Sequence, residues 1–168
     1  MFRSMRRALQ ALPFDEIEQI LKESSYCTLA INGDDGYPFS VPVNYVYHDN
    51  CLYFHGSIIG YKADCLKKNP KVSFSIVYKD TVDPINRSTR YQSVIGFGQA
   101  RLLEGEEKIQ EALTFGYRFC KGYEEGVREE VYDTVPYNVY EIRIEHITGK
   151  ESRALHNERM EKEKNNHL

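Results

Sequence analysis

The segment at residues 53–70, YFHGSIIGYKADCLKKNP, sets a histidine, a serine and a lysine close together around two glycines. Its residue types describe the end of a strand, a glycine-bounded loop and the start of a basic helix. The first N–H groups of a helix have no intrahelical partner and point at whatever lies before them, which favours an anion. Ser57 and the amides around Gly60 would meet that helix start, and Lys62 would add a full positive charge. Together they would suit a phosphate. The ordinary alternative, in which Ser57 caps a loop and Lys62 is solvated, stays open, because any Gly–Lys helix start looks similar.

A second stretch, GYPFSVPVNYVY, carries Pro38 and Pro42 on one face of a strand. Neither can donate a ladder hydrogen bond, so this strand belongs at a sheet edge or a bulge. Its unpaired backbone near Val43 and Asn44 would serve the polar rim of a planar ligand, or would simply protect an edge from aggregation.

Other chemistries find less support. The histidines at 48, 55, 146, 156 and 167 form no H-E-x-x-H or H-x-H pair, so no metal site is expected. There is no G-x-S-x-G for a nucleophilic serine. Cys27, Cys51, Cys65 and Cys120 lie far apart with no C-x-x-C, which reads as reduced, mostly buried thiols in the cytosol.

These residues must be positioned by one domain. The chain has 168 residues, 41% hydrophobic and 28% charged, with a net charge of −3. That balance gives no electrostatic reason to bind nucleic acid or an anionic membrane. No apolar run reaches membrane-spanning length. Arg3, Arg6 and Arg7 are followed by no apolar segment of the kind a signal peptide needs, and a cytoplasmic location is expected.

LPFDEIEQILKES predicts a short helix with Phe14, Ile17, Ile20 and Leu21 on its apolar face. The period then becomes two. Cys27, Leu29 and Ile31 lead to a turn at Asp35-Gly36. In the next strand Tyr37, Phe39, Val41, Val43, Tyr45 and Tyr47 take one face. HDN turns the chain into CLYFHG, where Cys51, Tyr53 and His55 alternate against Leu52, Phe54 and Gly56. KVSFSIVYK follows the helix of residues 53–70, with Val72, Phe74 and Ile76 inward. In YQSVIGFGQARLLE, Gly96 and Gly98 mark a bend or a close backbone approach. EEKIQEALTFGYRFCKG predicts a helix with Ile109, Leu113 and Tyr117 inward. The last strand is YNVYEIRIEHI, with Val139, Glu141, Arg143 and Glu145 alternating against Tyr140, Ile142 and Ile144. The expected fold is mainly β, a six-stranded antiparallel barrel with inserted α-helices over residues 1–150. A charged tail over residues 151–168 would fray or dock elsewhere.

GYPFSVPVNYVY, LYFHGSIIGYKADCLKKNPKVSFSIV and YQSVIGFGQARLLE occur in this order and spacing. Together they resemble the pyridoxamine 5′-phosphate oxidase-like, flavin-binding split-barrel superfamily, and within it the nitroimidazole-resistance group, over roughly residues 5–150. The resemblance implies a Greek-key split barrel and a homodimer with FMN at the subunit interface. It places Pro42, Val43 and Asn44 along the isoalloxazine, and Gly56, Ser57, Tyr61 and Lys62 at the ribityl phosphate. Gln92 and Ser93 would complete the site. Tyr61 stands where many of these oxidases have arginine, and His55 where the nitroimidazole-resistance group has a histidine beside the flavin. The arginine- and tryptophan-rich C-terminal signature of true pyridoxamine phosphate oxidases is missing, so oxidation of vitamin B6 is not expected.

The resemblance therefore implies an FMN-dependent oxidoreductase that reduces small electron-poor substrates such as nitroaromatics, with a nicotinamide electron donor. His55 would be the catalytic proton donor, since an imidazole titrates near neutrality, or a strand histidine satisfied by a neighbour. Two alternatives belong to other classes: a flavin-binding redox sensor without turnover, and a haem-handling split barrel with His55 as axial ligand.

Overall fold

The computed structural model describes residues 2–119 and 137–166. After a 3-10 turn at Ala8–Gln10, the elements are α1 (Phe14–Glu23), β1 (Tyr26–Asn32), a second 3-10 turn (Asp34–Gly36), β2 (Pro38–Asn44), β3 (Val46–His48), β4 (Cys51–Ser57) and α2 (Tyr61–Lys68). They continue with β5 (Lys71–Asp83), β6 (Ser88–Leu102), α3 (Gly105–Phe119), β7 (Tyr137–Glu151) and α4 (Arg153–Asn166). None of the described helices is long and apolar enough to cross a membrane.

The strands form one antiparallel sheet in the order β2-β1-β5-β6-β7-β4-β3. The two ends of that order, β2 and β3, are consecutive in the chain, separated by Tyr45 alone. One strand thus pairs with β1 through its first part, from Asn32↔Pro38 to Tyr26↔Asn44, and with β4 through its last, from Val46↔Tyr53 to His48↔Cys51. This joins the two edges of the sheet. The six expected strands are present, and the seventh arises because one of them breaks at Tyr45. The break is the split of the barrel, and β2, with its two prolines, borders it, with β1 its only ladder partner among the described residues.

The turns follow local chemistry. Asp49 and Asn50, the two residues between His48 and Cys51, both have positive φ, as a two-residue hairpin requires. Asp35 and Gly36 have positive φ within the longer β1–β2 turn, a conformation that glycine and short polar side chains tolerate. The alternating apolar positions fill the barrel: Leu29, Phe54, Phe74, Ile76, Val94 and Ile142 are almost wholly buried in one cluster with Ile20 and Leu21 of α1. Gly96 lies under Phe74, where an added Cβ would stand 2.1 Å from the ring. Gly96→Ala is therefore expected to overpack the core and cost about 1–3 kcal/mol of stability in a denaturant titration. An unchanged midpoint would mean that Phe74 can move aside freely.

A second, smaller cluster lies outside the barrel, where Val46, Cys51, Tyr53 and Val139 meet Leu103, Ala112 and Phe115 under α3. Here the expected helix face is corrected. Ile109 and Tyr117 are exposed and Leu113 only half buried, while Ala112, Phe115 and Gly116 are buried. Polar partners help choose this face: His48 Nε2 meets Glu111 at 2.7 Å and the Lys108 ammonium lies over the Tyr137 ring. The end of that predicted helix, including Cys120, lies outside the described residues.

Strands β5 and β6 run past the expected apolar segments into a long hairpin, paired out to Asp83↔Ser88. The charged tail folds back as α4. Arg159 reaches the wholly buried Glu151 at 2.8 Å and Glu16 at 3.4 Å, and Arg90 holds Glu158 at 2.7 Å. His167 lies outside the described residues.

Candidate functional site

The register that pairs Val46 with Tyr53, continued backward through the break, would set Asn44 opposite His55 and Val43 opposite Gly56. The strands part there instead. The opening is bordered by Pro42–Asn44 on one side and His55–Ser57 on the other, and the loop into α2 leaves directly from Ser57. Pro42 and Asn44 are exposed and Val43 is turned into the barrel core. The Asn44 side-chain amide donates to the Ser25 carbonyl at 3.1 Å. As an edge strand, β2 leaves alternate backbone groups unpaired on this side.

Lys62 is the centre of the constellation. It lies in the first turn of α2, whose N-cap, Gly60, has φ +116. Its side chain folds back over the end of the barrel, with Nζ above the Phe54 ring. Gly56 makes room for it, since a Cβ at that position would stand 3.0 Å from Lys62 Nζ. Among the described residues no carboxylate pairs with this ammonium, and burial lowers its pKa from the usual lysine value. A half-buried cation without a counter-ion beside a helix N-terminus is set up to receive an anion.

The neighbouring groups support that geometry. Ser57 is exposed, and its Oγ accepts from the Ile59 N–H at 3.3 Å, which leaves the hydroxyl proton free to donate. The Tyr61 hydroxyl accepts from the Asp34 N–H at 2.7 Å, and its ring packs edge-on against Phe39. With the Lys68–Asp34 ion pair at 2.8 Å, this ties α2 to the β1–β2 turn. Tyr61 thus positions the helix that carries Lys62.

His55 points away from the barrel interior. Its ring stands edge-on to Phe115 at 4.7 Å and to Tyr137 at 6.2 Å. Its side chain stays exposed to solvent, and partial desolvation against these rings, then the charge of Lys62, lower its pKa from the ordinary 6.5. Phe115, Tyr137 and Asn138, whose amide donates to the Tyr140 hydroxyl, surround the site without any local sequence signal. Tyr137 and Asn138 reach it because β7 pairs with β4, Val139↔His55 and Asn138↔Gly56, and Phe115 comes from α3, which packs over the same strands.

Gln92 and Ser93 are not at this opening. They pair with Glu151 and Lys150, at the far end of β7 from Asn138. Gln92 is buried and its amide donates to Glu16 at 3.3 Å. The structure thus gathers Pro42, Val43, Asn44, His55, Gly56, Ser57, Tyr61 and Lys62, and leaves the other two at the opposite end of the chain's longest strands.

An antiparallel barrel split at one strand, with a helix N-terminus and a lysine at the opening, defines the class: a split-barrel protein. The family model for pyridoxamine 5′-phosphate oxidase matches residues 14–151, and the chain belongs to that family. Solved structures share the fold. A candidate 5-nitroimidazole antibiotic resistance protein from Bacteroides thetaiotaomicron is 22% identical, with a TM-score of 0.72 over 83% of this chain and 85% of that one. A FAD-binding protein from Mesorhizobium loti is 24% identical, with a TM-score of 0.62 over 84% and 94%. A FAD- and haem-binding protein from Mycobacterium smegmatis is 18% identical, with a TM-score of 0.73 over 86% and 74%. No curated protein matches the chain.

Proposed function

We propose that the protein binds FMN at the β2–β4 opening and acts as a flavin-dependent oxidoreductase on small electron-poor substrates such as nitroaromatics. The observation that carries this is Lys62, a half-buried ammonium with no carboxylate partner among the described residues, beside Gly56 and the start of α2. The FAD-binding relatives support a flavin, and the candidate nitroimidazole resistance protein supports the substrate class. When bound, the flavin supplies the electrons or hydride. This chain's residues do the rest: Lys62, Ser57 and the α2 amides hold the phosphate, and the edge of β2 around Val43 and Asn44 lies along the ring. His55 gives a proton to the reduced substrate. A nicotinamide nucleotide is the proposed electron donor. The test is the absorption spectrum of the purified protein, with FMN restored if needed, followed by bleaching with NADH or NADPH. Bound flavin that no nicotinamide bleaches would favour a redox sensor without turnover.

A second copy of the chain belongs to this proposal. Gln92 and Ser93 can join the opening only from another subunit, because β7 separates them from Lys62 within one chain. Exposed Ile58 and Ile59 beside α2, and Val77 and Ile95 on the long hairpin, supply apolar surface for the contact. Light scattering of the flavin-loaded protein at micromolar concentration is expected to give the dimer mass, and a monomer mass would contradict a shared site. The haem alternative draws on the exposed His55 and the haem-binding relative. A Soret band on haem addition that His55→Ala abolishes would favour it.

A further inference from the structure

A cavity of about 660 Å³ lies at the opposite end of β7 from Lys62, lined by Arg6, Arg7, Leu9, Gln10, Arg153 and His156 among others. We infer that it is a separate binding site for a phosphate-bearing small molecule of nucleotide size, recognised through its diphosphate.

Three observations converge. The first is uncompensated charge. Arg6, Arg7 and Arg153 form no ion pair with any described residue, and α4 starts at Arg153 with no acidic residue in its first turn. A cation at a helix N-terminus opposes the helix dipole, and three guanidinium groups around one cavity repel each other. An anion there offsets both effects, and the several oxygens of a diphosphate can accept from more than one guanidinium at once. His156 spends Nδ1 on Glu151 at 3.2 Å, which leaves Nε2 for a ligand.

The second is an unpaired acceptor. Gln10 is 8% exposed and its Oε1 has no hydrogen-bond partner. Such a group normally carries a desolvation cost; Oε1 is closed off from the cavity as it stands, and turning the Gln10 amide toward a hydroxyl or amino group of a bound nucleotide would relieve that cost. The third is that the arginine segment is anchored on both sides. The Phe2 ring stacks on His146 at 4.7 Å and lies 5.2 Å from Phe97. Ala11 bridges to Lys150, and the Leu12 N–H donates to the Gly149 carbonyl at 3.0 Å. The two arginines between these anchors are held over the cavity, whose size is that of a small-molecule site.

Within one chain the cavity lies at the far end of β7 from the β2–β4 opening, although Gln92 and Ser93, which the proposed dimer carries to that opening, pair beside it; calorimetry on the full chain separates the two. ADP and inorganic pyrophosphate are expected to bind, with adenosine at least tenfold weaker. The Arg6→Gln/Arg7→Gln pair, and independently Arg153→Gln, should weaken ADP at least tenfold while circular dichroism and FMN affinity stay as in wild type. Equal affinity for ADP and adenosine, or wild-type ADP binding in both variants, would overturn the assignment. Joint loss of ADP and FMN in a folded variant would also overturn it, by making the cavity part of the flavin site.

Discussion

Lys62→Ala is expected to weaken FMN binding by roughly ten- to a hundredfold without unfolding the domain. A charge-assisted hydrogen bond contributes about 1.5–3 kcal/mol, and about 1.4 kcal/mol is one decade of affinity. The fold should survive because the ammonium makes no ion pair with a described residue and lies over the Phe54 ring. Removing it also relieves the desolvation that already lowers its pKa. The variant is therefore expected to match or exceed the wild type in thermal stability without flavin and to fall behind only when flavin is present, since ligand stabilisation scales with affinity. Lys62→Arg is not a neutral control, because the planar guanidinium would have to fit the gap left by Gly56. Wild-type FMN affinity in Lys62→Ala would return the residue to a surface role.

His55→Ala should keep FMN and the fold but slow nitroaromatic reduction by about a hundredfold or more, the usual size of a lost general acid. The proton moves only in the reacting complex, so turnover should suffer and cofactor binding should not. The pH dependence has a definite sign. Desolvation and then Lys62 lower the His55 pKa from the ordinary 6.5 in the free protein, so the folded chain holds this proton less readily than the unfolded one below pH 6.5. The stability contributed by His55 is therefore complete above that pH and is lost as pH falls through the lowered value. An anion on Lys62 cancels part of the charge that depresses His55, so the ring's titration, followed by NMR, should move upward when FMN binds. An unmoved titration would separate His55 from the phosphate. A variant at the wild-type rate would make His55 a packing residue against Phe115, and one that cannot hold FMN would make it a cofactor support.

Much of this was legible in the sequence because it is local. The Asp35-Gly36 and Asp49-Asn50 turns, the inward alternation of Val72, Phe74 and Ile76, and the prolines of an edge strand depend on neighbours in the chain. The proposed clamp is equally local, since Gly56, Ser57, Tyr61 and Lys62 fall within seven residues. What was hidden depends on distant partners. The apolar alternation runs through Tyr45 unchanged, so nothing marked the break where the strand leaves β1 for β4. The buried face of α3 was misread because its partners there include His48 and Tyr137 as well as apolar side chains. The distance of Gln92 from Lys62 is a property of the β6–β7 register, which no spacing reveals. Glu151 looked like the start of a solvated tail, yet it is buried by Arg159 and His156, which α4 carries back across it.

The central claim is that the opening between β2 and β4 is built around a cofactor's phosphate, and one titration tests it most directly. Flavin-free protein is titrated with FMN and with riboflavin under the same conditions, following the quenching of flavin fluorescence. The two ligands share the ring and the ribityl chain and differ only in the phosphate that Lys62, Ser57 and the α2 amides would hold. FMN is expected to bind at one per chain and at least tenfold more tightly than riboflavin. Equal affinity for the two would contradict a phosphate site at Lys62.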